Sequence, residues 1–334
     1  MFPMHYRPFG NTGLKVSEVS LGCWQLGADW GTVSEQEAHA ILKTAVDNGI
    51  NFFDTADVYG MGRSEAIIGN FLKSQNKKIF VATKIGRFSP PGWPENFTLD
   101  AMRTHVVGCK KRLQVDCLDL VQLHCIPAGE IKKGLVFEHL RKLQQEHHIR
   151  FWGASVESVE EGFLCLQQPG ICSLQVIYNL FRQKPEALIE EAKKGGVTVI
   201  VRLPLASGLL SGKFSPLSSF PLNDHRNYNK DGQRFNVGET FAGIPFTKAA
   251  ELAEQIKPIL QATGGDQNPT MAQRSLRWIL DNSNVSTIIP GATKSHQVIE
   301  NVIASSLAPL TEETHKELSS FYKEHVGRQI RGPY

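Results

Sequence analysis

Four residue types with complementary proton chemistry stand at or just beyond the ends of three short apolar runs. Asp54 and Tyr59 lie in Asp54-Thr55-Ala56-Asp57-Val58-Tyr59-Gly60, Lys84 closes Val81-Ala82-Thr83-Lys84, and His124 closes Val121-Gln122-Leu123-His124. Each alone has an ordinary structural reading: an Asp caps a helix, a Tyr keeps a wet hydroxyl at the edge of a core, a Lys pairs with a carboxylate. Together they make a proton-donating set. An ammonium beside a phenol stabilises the phenolate and lowers a pKa that starts near 10, and Asp54 would keep that ammonium charged. One pKa unit corresponds to about 1.4 kcal/mol, so lowering the phenol by about two to three units asks about 3 to 4 kcal/mol of the neighbouring charges. On this expectation Tyr59 is an acid usable near neutral pH, and His124 hydrogen-bonds the same substrate oxygen. Proton donation to a carbonyl oxygen also requires something to attack the carbon, and a hydride donor fits.

Residues so far apart in sequence meet only if the chain brings the run ends to one place. From about residue 18 to about 305, short apolar runs alternate with longer amphipathic stretches, the rhythm of βαβ units. Eight strands are expected at Val19–Leu21, Asn51–Asp54, Ile79–Lys84, Cys117–Leu123, Arg150–Ala154, Leu174–Tyr178, Thr198–Arg202 and Val285–Ile289. Several are nearly continuous hydrophobes, which suits a parallel sheet covered by helices. Ser34 and Glu37 form a capping box before Ala38–Val46, and Thr98 caps Leu99–Leu113. The economical architecture is α/β, a single (β/α)8 TIM barrel domain over residues 1–334, whose active site lies at the carboxyl ends of the strands. Phe9-Gly10-Asn11-Thr12-Gly13-Leu14-Lys15-Val16 reads as an N-terminal β-hairpin that closes one end of the core. From Lys213 to about Pro245, after strand 7, the sequence is rich in Ser, Pro, Asn, Asp and Gly without a sustained period. A loop this long reads as a functional lid or a disordered stretch.

Composition narrows the function classes. The 334 residues are 41% hydrophobic and 21% charged, which matches soluble globular chains rather than disordered or fibrous ones. Thirty-six Lys and Arg against 33 Asp and Glu leave +3, too small a surplus to imply nucleic acid or an anionic membrane as partner. The six cysteines show no Cys-x-x-Cys pair, so neither a disulfide framework nor a structural metal is expected. The amino-terminal residues lack a leader pattern and no run is long enough for a membrane span, so a cytoplasmic location is expected. Gly60-Met61-Gly62 lacks the third glycine of a dinucleotide fingerprint, and the short Lys/Arg clusters read as solvated helix faces.

The set Asp54, Tyr59, Lys84 and His124 resembles the catalytic tetrad of the aldo-keto reductases. Leu21-Gly22-Cys23-Trp24-Gln25-Leu26-Gly27 and the Gly62, Ser64 and Glu65 that follow the tyrosine resemble the same family. The resemblance spans nearly the whole chain and is strongest toward the branch of bacterial general stress reductases and potassium-channel β subunits. It implies reversible reduction of an aldehyde or ketone, with hydride from a nicotinamide, a proton from Tyr59, and the substrate positioned by His124. It further implies that Ser155 and Gln175 hold the carboxamide, that Tyr178 or Asn179 lies beside the nicotinamide ring, and that the backbone at Trp24 approaches the ribose. Leu205, Ser207, Leu209, Ser211 and Lys213 would cradle the pyrophosphate, the turn through Gly291 and Thr293 would follow it, and Gln297, Glu300 and Asn301 would meet the adenosine end.

Many NADP-binding members of the branch carry a cation directly after the Pro-Gly-Ala turn. This chain has Thr293 there and Lys294 next, so NADPH is expected over NADH on the strength of Lys294, with NAD still open. Trp24, Trp30, Phe88, Trp93 and Cys125 are candidates for lining the substrate pocket. The expected partner is a small carbonyl or alcohol substrate, with no metal, and a monomer is the default. Two other functions use the same residues. Lys84 could form a Schiff base in an aldolase, and a nicotinamide-loaded barrel could sense redox state for another protein.

Overall fold

A computed structural model describes residues 3–27, 33–261 and 268–334. The chain opens with a hairpin of β1 (Tyr6–Pro8) and β2 (Lys15–Ser17). Eight further strands follow: β3 (Leu21–Gly22), β4 (Phe52–Asp54), β5 (Phe80–Ile85), β6 (Leu118–His124), β7 (Ile149–Ser155), β8 (Ser173–Ile177), β9 (Thr198–Arg202) and β10 (Thr287–Ile288). They pair in sequence order and all in parallel. Parallel bridges from Val19 to Ile288 and from Gly22 to Gly291 bring the two edges together, so the sheet is a nearly closed (β/α)8 barrel. Each expected strand is present within a few residues, and Thr198–Arg202 coincides end to end.

Helices cover the outside because the local signals start and stop them. Ser34 and Glu37 form the reciprocal box at the head of Glu35–Asp47, and the Thr98 hydroxyl accepts from the Ala101 amide to start Leu99–Leu113. Among the described residues no helix is long and apolar enough to cross a membrane. The six cysteines are unpaired.

Inside the barrel, side chains alternate along each strand, so residues two apart share the interior. Phe52, Phe80, Leu120 and Ile200 form an apolar layer near the strand starts. Two residues further along the first three of these strands stand Asp54, Ala82 and Gln122, and two beyond on β5 and β6 stand Lys84 and His124. The interior thus changes from oily to polar toward the carboxyl ends. The hairpin seals the oily end: Phe9 is fully buried, with ring centroids 4.9 Å from Phe80 and 5.8 Å from Phe52. Arg7 ties the hairpin to the far side of the barrel by donating to the Leu280 and Val285 carbonyls and pairing with Glu18 at 2.7 Å. Truncating Phe9 to Ala is expected to lower the unfolding free energy by about 3–5 kcal/mol, the usual cost of a deleted core aromatic. Urea titration followed by circular dichroism measures it, and a loss well under 1 kcal/mol would show that the ring is not a seal.

The segment 213–245 carries short helical turns at His225–Tyr228, Val237–Glu239 and Phe241–Gly243 rather than a long helix. Side chains replace the missing ladder: the Asn229 carbonyl oxygen accepts from the Arg234 and Phe235 amides, and its amide group donates to Thr240. Arg331 clasps the segment from outside through the Gly243 carbonyl, the Lys230 carbonyl and Asp231. Of the two readings the sequence left open for this segment, a lid or a disordered stretch, the structure shows a folded one, and its Tyr228, Phe235 and Glu239 line the cavity at the mouth of the barrel.

Candidate active site

Strand register delivers three of the four proposed side chains directly. Asp54 pairs with Ala82, Lys84 with Gln122, and His124 with Ser155, so β4, β5 and β6 end side by side. Tyr59 arrives on the turn after β4. That turn is fixed by the Thr55 and Asp57 amides, which donate to the carbonyls of Ala82 and Lys84. Beneath it Thr55 donates to Ser64, and Ser64 donates to the Cys23 carbonyl. Thr83 and Arg112 both bind the fully buried Glu65. Gly60, at φ +58°, lies so close to Gly27 that a Cβ would stand 2.3 Å from the Gly27 carbonyl oxygen. In the same two turns the Trp24 and Tyr59 rings stack at 5.8 Å.

All three donors of the Lys84 ammonium are engaged. They reach Asp54 Oδ1 at 2.5 Å, the Thr55 carbonyl at 2.9 Å and the Tyr59 hydroxyl at 3.3 Å. The other Asp54 oxygen accepts from Gln175 at 2.7 Å and Gln122 at 3.3 Å. Burial alone would lower the Lys84 pKa, but Asp54 outweighs it and holds the lysine above its ordinary value, fully charged. Such an amine offers no lone pair to a carbonyl, which counts against the Schiff-base alternative.

Tyr59 departs from the expectation. Burial of the phenol is the largest influence and raises its pKa; Lys84 pulls it down but does not prevail, and the carboxylates of Asp54 and Glu239 push it further up. Taking a phenolate out of water costs more than one shared ammonium returns. The hydroxyl is therefore protonated throughout the neutral range. His124 moves the other way: burial and the charges of Arg87, Lys84 and Arg202 hold it far below the usual histidine value, so the imidazole is neutral. Its ring meets Tyr59 edge-on at 5.8 Å.

Two cavities meet at these residues. One of about 380 Å³ runs from Asp54, Tyr59, His124 and Gln175 past Leu205, Ser207, Ser211 and Lys213 to Gly291, Thr293, Gln297, Glu300 and Asn301. The other, of about 930 Å³, opens over Trp24, Tyr59 and His124 and is walled by Arg87, Trp93, Cys125, Phe235 and Glu239.

The model of the aldo/keto reductase family matches residues 18–323. The chain belongs to that family. It is 30% identical to an uncharacterised oxidoreductase, YqkF, of Bacillus subtilis, over 98% of this chain and 100% of the relative. It is 31% identical to a probable voltage-gated potassium channel subunit beta of Oryza sativa, over 92% of this chain and 93% of that one. Among solved structures it resembles an aldo-keto reductase of Bacillus halodurans in its holo form, with a TM-score of 0.75 and 28% identity over 97% of this chain and 99% of that one. The branch seen in the motifs is thus the branch found by comparison.

The structure of this aldo-keto reductase does not bring every expected residue to the cavities. Tyr178 faces the other way: its ring lies 4.9 Å from Trp278 and its hydroxyl donates to Glu186, because residues 173, 175 and 177 of β8 hold the inward parity. Asn179 spends its amide on the Leu203 carbonyl and the Phe181 amide, and Leu209 is packed in the core. Ser155 lies just behind the wall, 3.5 Å from both Gln175 and Cys125. Lys294 is exposed and paired with Glu37. Phe88 packs on His105 and Arg112 rather than lining a cavity, and Trp30 lies outside the described residues. Gln122, Arg87, Arg202, Glu157 and Glu239 were not singled out in the sequence. Of these Gln122 and Arg202 carry a signal in the sequence, Gln122 standing two residues before His124 on the same strand face and Arg202 closing the strand Thr198–Arg202.

Proposed function

We propose that this oxidoreductase reduces aldehydes or ketones with NADPH, Tyr59 supplying the proton. The observation that carries the reading is the contact of the Tyr59 hydroxyl with a buried, charge-neutralised Lys84–Asp54 pair where the two cavities join. The smaller cavity fits a dinucleotide. Leu203, Ala206, Ser207 and Gly208 all have positive φ, between +47° and +91°, and the tight turns they make curl the backbone around the wall that Leu205, Ser207 and Gly208 give to this cavity. Lys213 and Arg226 bring cations to the same wall. When bound there, the nicotinamide supplies hydride to the carbonyl carbon.

The protein's own residues do the rest. Trp24 and the aromatic wall hold the substrate, while the neutral His124 and the protonated Tyr59 point hydrogen-bond donors at the carbonyl oxygen. Tyr59 gives up its proton as charge develops on that oxygen, and the Lys84 ammonium at 3.3 Å stabilises the phenolate left behind. Gln122 and Gln175 keep Asp54 aimed at Lys84.

The assignment of NADPH rests on Lys294. Its pair with Glu37 is a solvent-screened surface ion pair, which a 2′-phosphate can displace. Replacing Lys294 by Ala is expected to raise KM for NADPH by about tenfold with a much smaller change for NADH; equal effects on both would remove the assignment. The function itself is tested by following the reduced-nicotinamide absorbance with a panel of aldehydes, ketones and sugars under each cofactor. Saturable consumption with a carbonyl compound supports the reading. Tight cofactor binding without turnover would favour a regulatory role, to which the likeness to a channel β subunit lends support.

A further inference from the structure

One carboxylate pins the loop that covers the mouth. Glu239, 5% exposed, accepts from Arg87 at 3.1 Å and lies 3.5 Å from Arg202. Arg87 follows β5 and Arg202 ends β9, strands separated by three others in either direction around the ring, so the two guanidiniums reach Glu239 from opposite walls. The backbone is fastened at the same point: the Glu239 carbonyl accepts from the Ser207 hydroxyl and the Phe241 amide donates to it, both at 3.2 Å. The same loop lays His225 and Phe235 on Trp24, with centroids at 4.7 and 5.8 Å, and Trp24 in turn stacks on Tyr59.

The charges around Glu239 are complete. Arg87 also binds Glu157 at 3.0 Å, and Arg202 also donates to the Cys125 sulfur at 3.4 Å. Cys125, Glu157 and Glu239 are close enough to suggest a metal, but the two guanidiniums already occupy the carboxylates, so the cluster is a closed ion-pair network. Burial works against the Glu239 charge, yet Arg87 and Arg202 prevail and keep it ionised. Tyr59 feels that charge, together with those of Lys84 and Asp54.

We propose that Glu239 is a positioning residue for carbonyl reduction: by bridging Arg87 and Arg202 across the mouth it holds Phe235 and His225 against Trp24, and so fixes the width of the substrate cavity above Tyr59. The proposal rests on the carbonyl-reductase reading, and its test separates the two. Limited proteolysis of segment 213–245 reads loop closure without any turnover. Glu239→Gln is expected to be cut in that segment several-fold faster than the parent protein. Its kcat/KM for a short aliphatic aldehyde falls about tenfold or more, because a small substrate depends most on a snug wall. A bulky aromatic aldehyde loses much less. Removing the carboxylate also moves the alkaline limb of the reduction profile to lower pH, and Glu239→Asp, which keeps the charge, restores that limb. A merely structural residue would lower every parameter together and leave the limb in place.

Unchanged proteolysis, or equal losses for both aldehydes, overturns the proposal. Absence of turnover in the parent protein overturns the reductase reading instead, while the proteolysis result still stands. If Glu239→Gln does not accumulate folded, Arg87→Gln removes one arm of the bridge and is read by the same measurements.

Discussion

Tyr59→Phe lowers kcat for aldehyde reduction by about a thousandfold or more while NADPH affinity stays within about twofold. The substitution removes one oxygen and keeps the ring that stacks on Trp24 and meets His124 edge-on, so the cavity keeps its shape. What is lost is the acid. A positioned proton donor contributes about two to four orders of magnitude, and among the described residues no other hydroxyl bonds to Lys84. The neutral His124 can still orient the carbonyl, which is why a residual rate is expected rather than none. The raised pKa of Tyr59 gives the pH dependence a definite sign. Reduction needs the protonated phenol, so its rate is level through neutrality and falls only as pH rises through the phenol's pKa. Alcohol oxidation needs the phenolate and rises over that same alkaline range. Rate profiles in both directions check this, and reduction that declined between pH 6 and 7 would contradict it.

Lys84→Met is expected to damage both chemistry and stability. The methionine has nearly the length of the lysine but leaves Asp54, only 2% exposed, as a buried carboxylate without its cation. Breaking a buried pair from one side typically costs about 3–5 kcal/mol. Activity falls at least as far as for Tyr59→Phe, because the phenolate formed in the reaction has no counter-charge. The double variant Asp54→Asn with Lys84→Met separates the two effects. The amide that replaces the carboxylate can still accept from Gln175 and Gln122 without carrying charge, so thermal stability recovers most of the loss while activity does not. The direction of linkage agrees: a lysine held above its ordinary pKa gives stability that is present at neutral pH and lost only as pH rises through that higher value. Recovery of activity in the double variant would show that Lys84 acts only as a structural partner of Asp54.

Much of this arrangement was legible in the residues because strands and caps are local. Thr98 marks the start of a helix over Leu99–Leu113, and the turn glycines between Phe9 and Val16 announced the hairpin. Parity carried more than was taken from it: the alternation that puts Ser173 and Gln175 inside the barrel sends Tyr178 out to Trp278, and the same alternation places Gln122 inside with His124. The ionisation of Tyr59 was not legible. Sequence shows that a lysine stands nearby, but not how much water the turn after β4 excludes, and burial decided the direction. Glu239 was hidden for a different reason. The segment around it has no period, and its partners lie about 150 and 40 residues away, on strand ends that only the closed barrel brings opposite each other.

The central claim is that four side chains gathered at neighbouring strand ends complete a hydride transfer with a proton from Tyr59. Its most direct measurement is a single turnover with NADPH deuterated at the transferring position of C4 and a simple aldehyde, followed by mass spectrometry of the alcohol. The account predicts one deuterium on the carbinol carbon in the parent protein, formed orders of magnitude more slowly in Tyr59→Phe. Alcohol that lacks the label, or a labelled product formed equally fast without the tyrosine hydroxyl, would contradict it.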